Sequence, residues 1–268
     1  MQNIKVSMFA AAVRTNLWPT LLKSLVGTTV DFEIVFCGPK EPSLAEKEEI
    51  KNIVGDWNEF HFLKSGNTKP AQCYEIARRH CKGEVVVWCA DDCLFSDDVI
   101  GKAYRFWKDC NDKKVILSLI TRERYTEKFF LTDLNAHTLK GPNTPLMAPI
   151  AMMSREYLEQ LGGLDRRYIC GQYENSIVMK IYEDGGKLIQ FKNCPVVIDH
   201  FVGHGGVSTV EGYKRPFAQG YPSDRKVFEG SWIKDGKVSP VQLDKHEPFE
   251  DKDLLTKSQS NNIPEMWI

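Results

Sequence analysis

The sequence has no glycine where many nucleotide-binding proteins need one. After the first apolar run the chain reads Ala10-Ala11-Ala12-Val13-Arg14. That excludes the GxGxxG fingerprint of nicotinamide dehydrogenases. It also excludes the Gly-rich phosphate loop of a sugar-phosphate nucleotidyltransferase at that place. None of the eight cysteines forms a CxxC pair, so the spacing of a structural zinc site is missing. A disulfide framework is not expected in a chain of 268 residues, which favours a reducing cytoplasm, with peripheral membrane association left open. No apolar run approaches the ~20 residues that span a bilayer. Val6 to Val13 is about as short as a strand and only Lys5 supplies charge before it, so it reads as a strand rather than a signal segment. The net charge of -1 gives no basic field for a nucleic-acid partner. Repeats and low-complexity blocks are missing too.

What is present is an ordinary globular composition, 42% hydrophobic and 26% charged, long enough for one cored domain and an appendage. Ile4 to Ala12 predicts a first strand, and Trp18-Pro19 opens a helix. Phe32 to Phe36 is a second strand. Ser43 and Glu46 make a capping box for a helix to Val54. His61 to Lys64 is a short strand, Pro70 to Cys81 a helix, and Glu84 to Cys89 a buried strand. Ser96 is expected to cap a helix carrying Val99, Ile100, Ala103, Tyr104 and Trp107 at helical spacing. Val115 to Ile120 and Leu146 to Met153 follow as strands. Ser154 caps a helix that stops at Gly162-Gly163, and residues 174–183 form another. Leu188 to Phe191 and Val196 to Ile198 are the last strands. Strands alternating with helices predict a Rossmann-like α/β/α sandwich with a mostly parallel central sheet. Residues 1–204 read as the core. Residues 205–268, rich in Gly, Pro and charge, read as a C-terminal extension, either a lid or an acceptor-side arm or a packing arm.

Four constellations could carry chemistry. Asp91 and Asp92 end the apolar run from Glu84, at the carboxyl edge where open α/β sheets bind ligands. Two such charges call for a cation, and a divalent metal bridging to a diphosphate is the simplest one. Read blandly, they are loop acids of the kind common after any strand. Glu174 stands at a helix amino terminus, where the dipole favours its ionised form and it could accept a hydroxyl proton. On spacing alone, a helix-start acid without chemistry is the better fit. His200 could complete a metal's shell or be satisfied by ordinary hydrogen bonds, with His204 a weaker candidate. The small residues Ala10 and Ala11 could admit a planar base, and Arg14 or Lys69, beside Gln72, could meet phosphate. Small core residues and solvated cations explain the same positions.

Taken in order, these segments resemble the family 2 glycosyltransferases of the GT-A fold. Ile4 to Val26 is similar to the family's nucleotide-binding start. Ala90-Asp91-Asp92-Cys93 falls at its DxD-type motif, and Met153-Ser154-Arg155-Glu156 through Gly162-Gly163-Leu164-Asp165 is similar to its acceptor-side segment. Tyr173-Glu174 takes the place of its Glu-Asp pair. The resemblance covers residues 3 to 204. It implies a nucleoside-diphosphate sugar donor, a glycan or other hydroxyl acceptor, and Mn2+ or Mg2+ as cofactor. By the same resemblance Asp91 contacts ribose or metal, Asp92 and His200 hold the metal, and Ala10, Ala11, Arg14, Gly38, Lys69 and Gln72 line the donor site. Glu174 becomes the general base of an inverting transfer. The chain departs from the pattern at Cys89, where an acid is usual, and at Cys37-Gly38-Pro39, where the family often carries a base-reading Asp. A catalytically degenerate nucleotide- or glycan-binding module is the alternative that Cys89 keeps open, with a sugar-phosphate nucleotidyltransferase ranked behind it.

Overall fold

The computed structural model describes residues 4–55, 59–65, 69–95, 97–124, 130–134, 137–138, 146–165, 167–199, 214–234, 237–238 and 266–267. In chain order its strands are β1 (Val6–Ala11), β2 (Phe32–Gly38), β3 (Glu59–Lys64), β4 (Val85–Trp88), β5 (Cys93–Phe95), β6 (Val115–Arg124), β7 (Phe130–Leu134), β8 (His137–Thr138), β9 (Leu146–Met147), β10 (Ala151–Ser154), β11 (Lys187–Asp199), β12 (Ile233–Lys234), β13 (Lys237–Val238) and β14 (Met266–Trp267). The helices are α1 (Trp18–Ser24), α2 (Leu44–Val54), α3 (Pro70–His80), α4 (Val99–Cys110), α5 (Arg155–Gln160), α6 (Tyr173–Glu183) and α7 (Lys214–Trp232).

One sheet dominates, in the order β14-β3-β2-β1-β4-β10-β6-β11-β5, with β7 beside β6. Strands β3, β2, β1 and β4 pair in parallel. The reversed strand β10 is antiparallel to both β4 and β6, which restores the direction for β6 and its parallel neighbour β11. The expected mostly parallel sheet is therefore observed, and the sequence shows why. Strands β1, β2 and β4 are buried along their whole length, as strands covered on both faces must be. Their side chains alternate between two core layers. Met8 and Ala10 join α1, α2 and α4 in one layer, while Phe9 and Ala11 join α3, α5, α6 and α7 in the other. This is the α/β/α sandwich.

Local chemistry sets most element ends as expected. Ser43 and Glu46 form the capping box of α2, Pro70 opens α3, and Ser154 accepts the Tyr157 N–H to cap α5. Helix α4 departs from expectation. Its N-cap is Asp98, left-handed at φ 54° with no side-chain cap, because that carboxylate is taken by the Thr29 N–H and hydroxyl and by Arg105; Ser96 lies outside the described residues. The acid pair also does not run straight into a helix, since β5 intervenes to pair with β11. The two expected last strands are one long strand, β11, irregular between Phe191 and Val196.

Gly38 ends β2 against the first strand's exit, where Ala12 N–H donates to the Cys37 carbonyl. A Cβ on Gly38 would lie 1.8 Å from the Ala12 carbonyl oxygen. Because that obstacle is backbone, Gly38→Ala must push two strand ends apart. It is expected to cost about 1–3 kcal/mol, read as a lower urea midpoint with an unchanged slope.

Candidate functional site

The turn after β4 brings Asp91 and Asp92 to the carboxyl rim, and the exit of β1 meets them there. Asp91 is fully buried. It accepts the backbone N–H groups of Val13 and Arg14, each at 2.7 Å, the Arg14 Nε at 2.7 Å and the Trp18 indole N–H at 3.3 Å. The Arg14 guanidinium spans both acids, with Nη2 2.5 Å from Asp91 and Nη1 2.9 Å from Asp92. So the cation that the paired charges call for is, in this structure, a side chain of the same rim. Cys89 lies buried just before them with its thiol toward the Phe9 carbonyl. Burial first, then Asp91 and Asp92, raise its pKa far above the usual thiol range, and it packs as a neutral group.

The committed oxygens of Asp91 decide how a divalent cation could fit. Both accept protein hydrogen bonds, which leaves Asp92 as the ligand the described residues offer on this rim. One carboxylate completed by substrate phosphate and water is an ordinary arrangement for magnesium-like ions. The residues therefore fit such an ion, provided Arg14 shares Asp92 with it. His200, expected as a further ligand, and His204 lie outside the described residues.

Glu174 enters from the other core layer. Tyr74 of α3 donates its hydroxyl to the Cys89 carbonyl at 2.7 Å and packs its ring on Tyr173, centroids 4.8 Å apart. That link ties the start of α6 to the acid turn. Glu174 is the second residue of α6, and its Oε2 is buried without a hydrogen-bond partner among the described residues. Burial pushes its pKa up to about 7 against the pull of its own backbone N–H, and the charge of Asp224 adds to the rise. A carboxylate held there is poised to exchange a proton near neutrality.

Asp224, on α7, was not legible as a site residue. It is fully buried and accepts the N–H groups of Ile169, Cys170 and Gly171 at 2.7, 2.8 and 2.9 Å. The loop leading to Glu174 is thus moulded around a carboxylate from the extension. Ile169 in turn accepts the Ala71 N–H at 2.9 Å, which joins the loop to the first turn of α3. The expected donor residues Lys69 and Gln72 lie at that same turn, exposed and half-buried respectively. Ala10 and Ala11 pack in the two core layers, and Gly38 meets the Ala12 backbone, so packing accounts for all three. Trp232 of α7 is buried with its indole N–H on Ser176 at 3.2 Å.

No protein-family model and no curated protein matches the chain. Solved structures do. TarS 1-349 of S. aureus in complex with UDP-GlcNAc superimposes with a TM-score of 0.59 at 14% identity, over 75% of this chain and 60% of that one. GalNAc-T7 with UDP, GalNAc and Mn2+ gives 0.59 at 13% identity, over 96% and 55%. The mannosyltransferase PcManGT from Pyrobaculum calidifontis, in complex with GDP-Man and Mn2+, gives 0.57 at 19%, over 91% and 68%. The chain thus spans about 60% of the length of TarS 1-349. At these identities the likeness is one of architecture, and the architecture is the GT-A fold of glycosyltransferases.

Proposed function

We propose that this protein is a glycosyltransferase that moves a sugar from a nucleoside diphosphate to an acceptor hydroxyl with inversion, Glu174 acting as general base. The observation that carries this reading is the sealed Oε2 of Glu174 at the start of α6, which has no hydrogen-bond partner among the described residues and is tied through Tyr173 and Tyr74 to the Asp91–Asp92 turn. The fold's likeness to proteins solved with UDP-GlcNAc and GDP-Man supports it.

In this reading Glu174 takes the acceptor's proton as the acceptor oxygen bonds to the anomeric carbon. The bond from that carbon to the diphosphate oxygen breaks, and its electron pair leaves with the nucleoside diphosphate. Asp91 fixes the β1 exit and Arg14 beside the donor, and Arg14 offers positive charge toward the leaving group. A divalent ion held by Asp92 would supply further charge neutralisation there. The described part of the extension, through Asp224, forms the acceptor-side wall. A second reading follows from Arg14 seated on both acids: the guanidinium alone faces the diphosphate and transfer needs no metal. Thermal shifts with UDP and GDP, each with and without Mn2+, separate the two through ligand-linked stabilisation. No shift with either nucleotide defeats both.

Asp224 gives the reading a pH test. Transfer is expected to rise with pH through about 7 as Glu174 loses its proton. Asp224→Asn removes a negative charge that raises the Glu174 pKa, so the rising limb should move to lower pH. The same change sets an amide against three backbone donors and should cost about 1–3 kcal/mol. A profile fixed in place would dissociate Glu174 from the rate.

A further inference from the structure

At the opposite edge of the sheet, where the parallel strands begin, a second group of ligating side chains converges. In-register pairing sets Ser7 of β1 beside Glu33 of β2, and Glu33 beside Glu59 of β3. His61 follows Glu59 by two residues and so shares its face. From Glu33 to Gly38 the strand rises ~17 Å at the usual spacing, so this group is well separated from the Asp91–Asp92 rim.

Its wiring is lopsided. Oε1 of Glu33 is saturated by the Ser7 hydroxyl and the Lys82 N–H, and Ser7 is itself held by the Gly83 N–H at 2.7 Å. Oε2 of the same carboxylate, on a side chain with 0% exposure, has no hydrogen-bond partner among the described residues and faces His61 Nε2 at 3.7 Å. Glu59 Oε2 approaches the same nitrogen at 2.9 Å and receives Lys82 Nζ at 3.1 Å. His61 Nδ1 is buried and likewise without a hydrogen-bond partner among the described residues. One atom from each of Glu33, Glu59 and His61 lies within 4.8 Å of the other two. With the imidazole neutral, two carboxylates against one lysine leave the pocket one negative charge in excess.

We propose that Glu33, Glu59 and His61 form a divalent-cation site of the zinc type, separate from the donor rim. One imidazole nitrogen with two carboxylate oxygens is a ligand set that zinc accepts. Neighbouring ligands around a tetrahedral zinc stand roughly 3.3 Å apart, given bonds of about 2.0–2.2 Å. The observed 2.9 and 3.7 Å separations from the imidazole bracket that value. Glu59 and Lys82, half-exposed at the mouth, give an entry path. The cation would cross-brace β2 and β3 and tie them to the turn before β4.

Co2+ titration of the metal-stripped full chain, without nucleotide, tests this through the visible bands of a low-coordinate cobalt site. The expected result is saturation at one equivalent, retained in Asp92→Asn. Glu59→Gln, half-exposed and tolerant, should weaken binding at least about tenfold, and His61→Gln should abolish the bands. Zn2+ should raise the melting temperature of the wild type but not of these variants. Absence of bands, bands unchanged in Glu59→Gln, or bands lost in Asp92→Asn would overturn the proposal and leave a histidine–carboxylate contact. Since neither donor nor acceptor is used, failure of the glycosyltransferase reading would not alter the result.

Discussion

Glu174→Gln is expected to reduce sugar transfer by ~10²-fold or more while sparing nucleotide binding, the scale usual for a lost general base. The amide keeps the shape of the carboxyl group at the start of α6 and cannot take a proton. Loss of fold is excluded by a companion measurement whose sign follows from linkage. The native chain holds the Glu174 proton up to about pH 7, whereas the ordinary carboxyl value is 4.5. Between these values the folded state binds more protons than the unfolded one, so stability falls as pH rises. Above pH 7 the protein bears the full cost of burying an ionised carboxylate. The Gln variant bears none of it, and should melt higher than the wild type at pH 8 and no higher below pH 4.5. An inactive variant that is more stable than its parent at alkaline pH cannot be dismissed as misfolded. Near-normal transfer would instead require another base or a retaining route.

Asp92→Asn and Asp91→Ala should fail in different ways although the residues are adjacent. Asp92 would share its carboxylate between Arg14 and a cation on this rim, so its amide is expected to lose Mn2+-dependent nucleotide affinity while the fold persists. Unchanged Mn2+ dependence would mean that Arg14 is the cation the donor meets. Asp91 carries the β1 exit instead: Val13, Arg14 and Trp18 all donate to it. Truncation there removes the acceptor of two backbone donors and the Trp18 indole N–H and leaves the Arg14 guanidinium with Asp92 as its remaining rim acid, at about 3–5 kcal/mol, the scale for breaking a buried pair. It should appear as a lower melting temperature before any nucleotide is added.

The layered fold was legible because β4 is an unbroken apolar run, because β1 and β2 are apolar apart from Ser7 and Glu33, and because the caps at Ser43 and Ser154 are local chemistry. The acid turn and Glu174 could be read for the same reason, each standing at the end of a strongly patterned element. Arg14's position on both aspartates was not legible, since a cation beside a strand exit reads equally as a phosphate ligand. Only coordinates show which anion it meets. The Asp98 cap escaped because Thr29 and Arg105 draw that carboxylate from elsewhere in the chain. Asp224 was hidden for a further reason. Its partners lie 53 to 55 residues earlier, and no periodicity records a long-range contact from one acid to three amides.

That separation fixes an order of events on the ribosome. When Ile169, Cys170 and Gly171 leave the exit tunnel, the carboxylate that will gather their amides has not yet been translated. Water must solvate them until α7 arrives, and only then does the wall beside Glu174 set. A nascent chain halted before residue 224 would therefore lack both β14 and the fixed loop beside Glu174, so on the proposed reading competence to transfer would be among the last properties the polypeptide acquires.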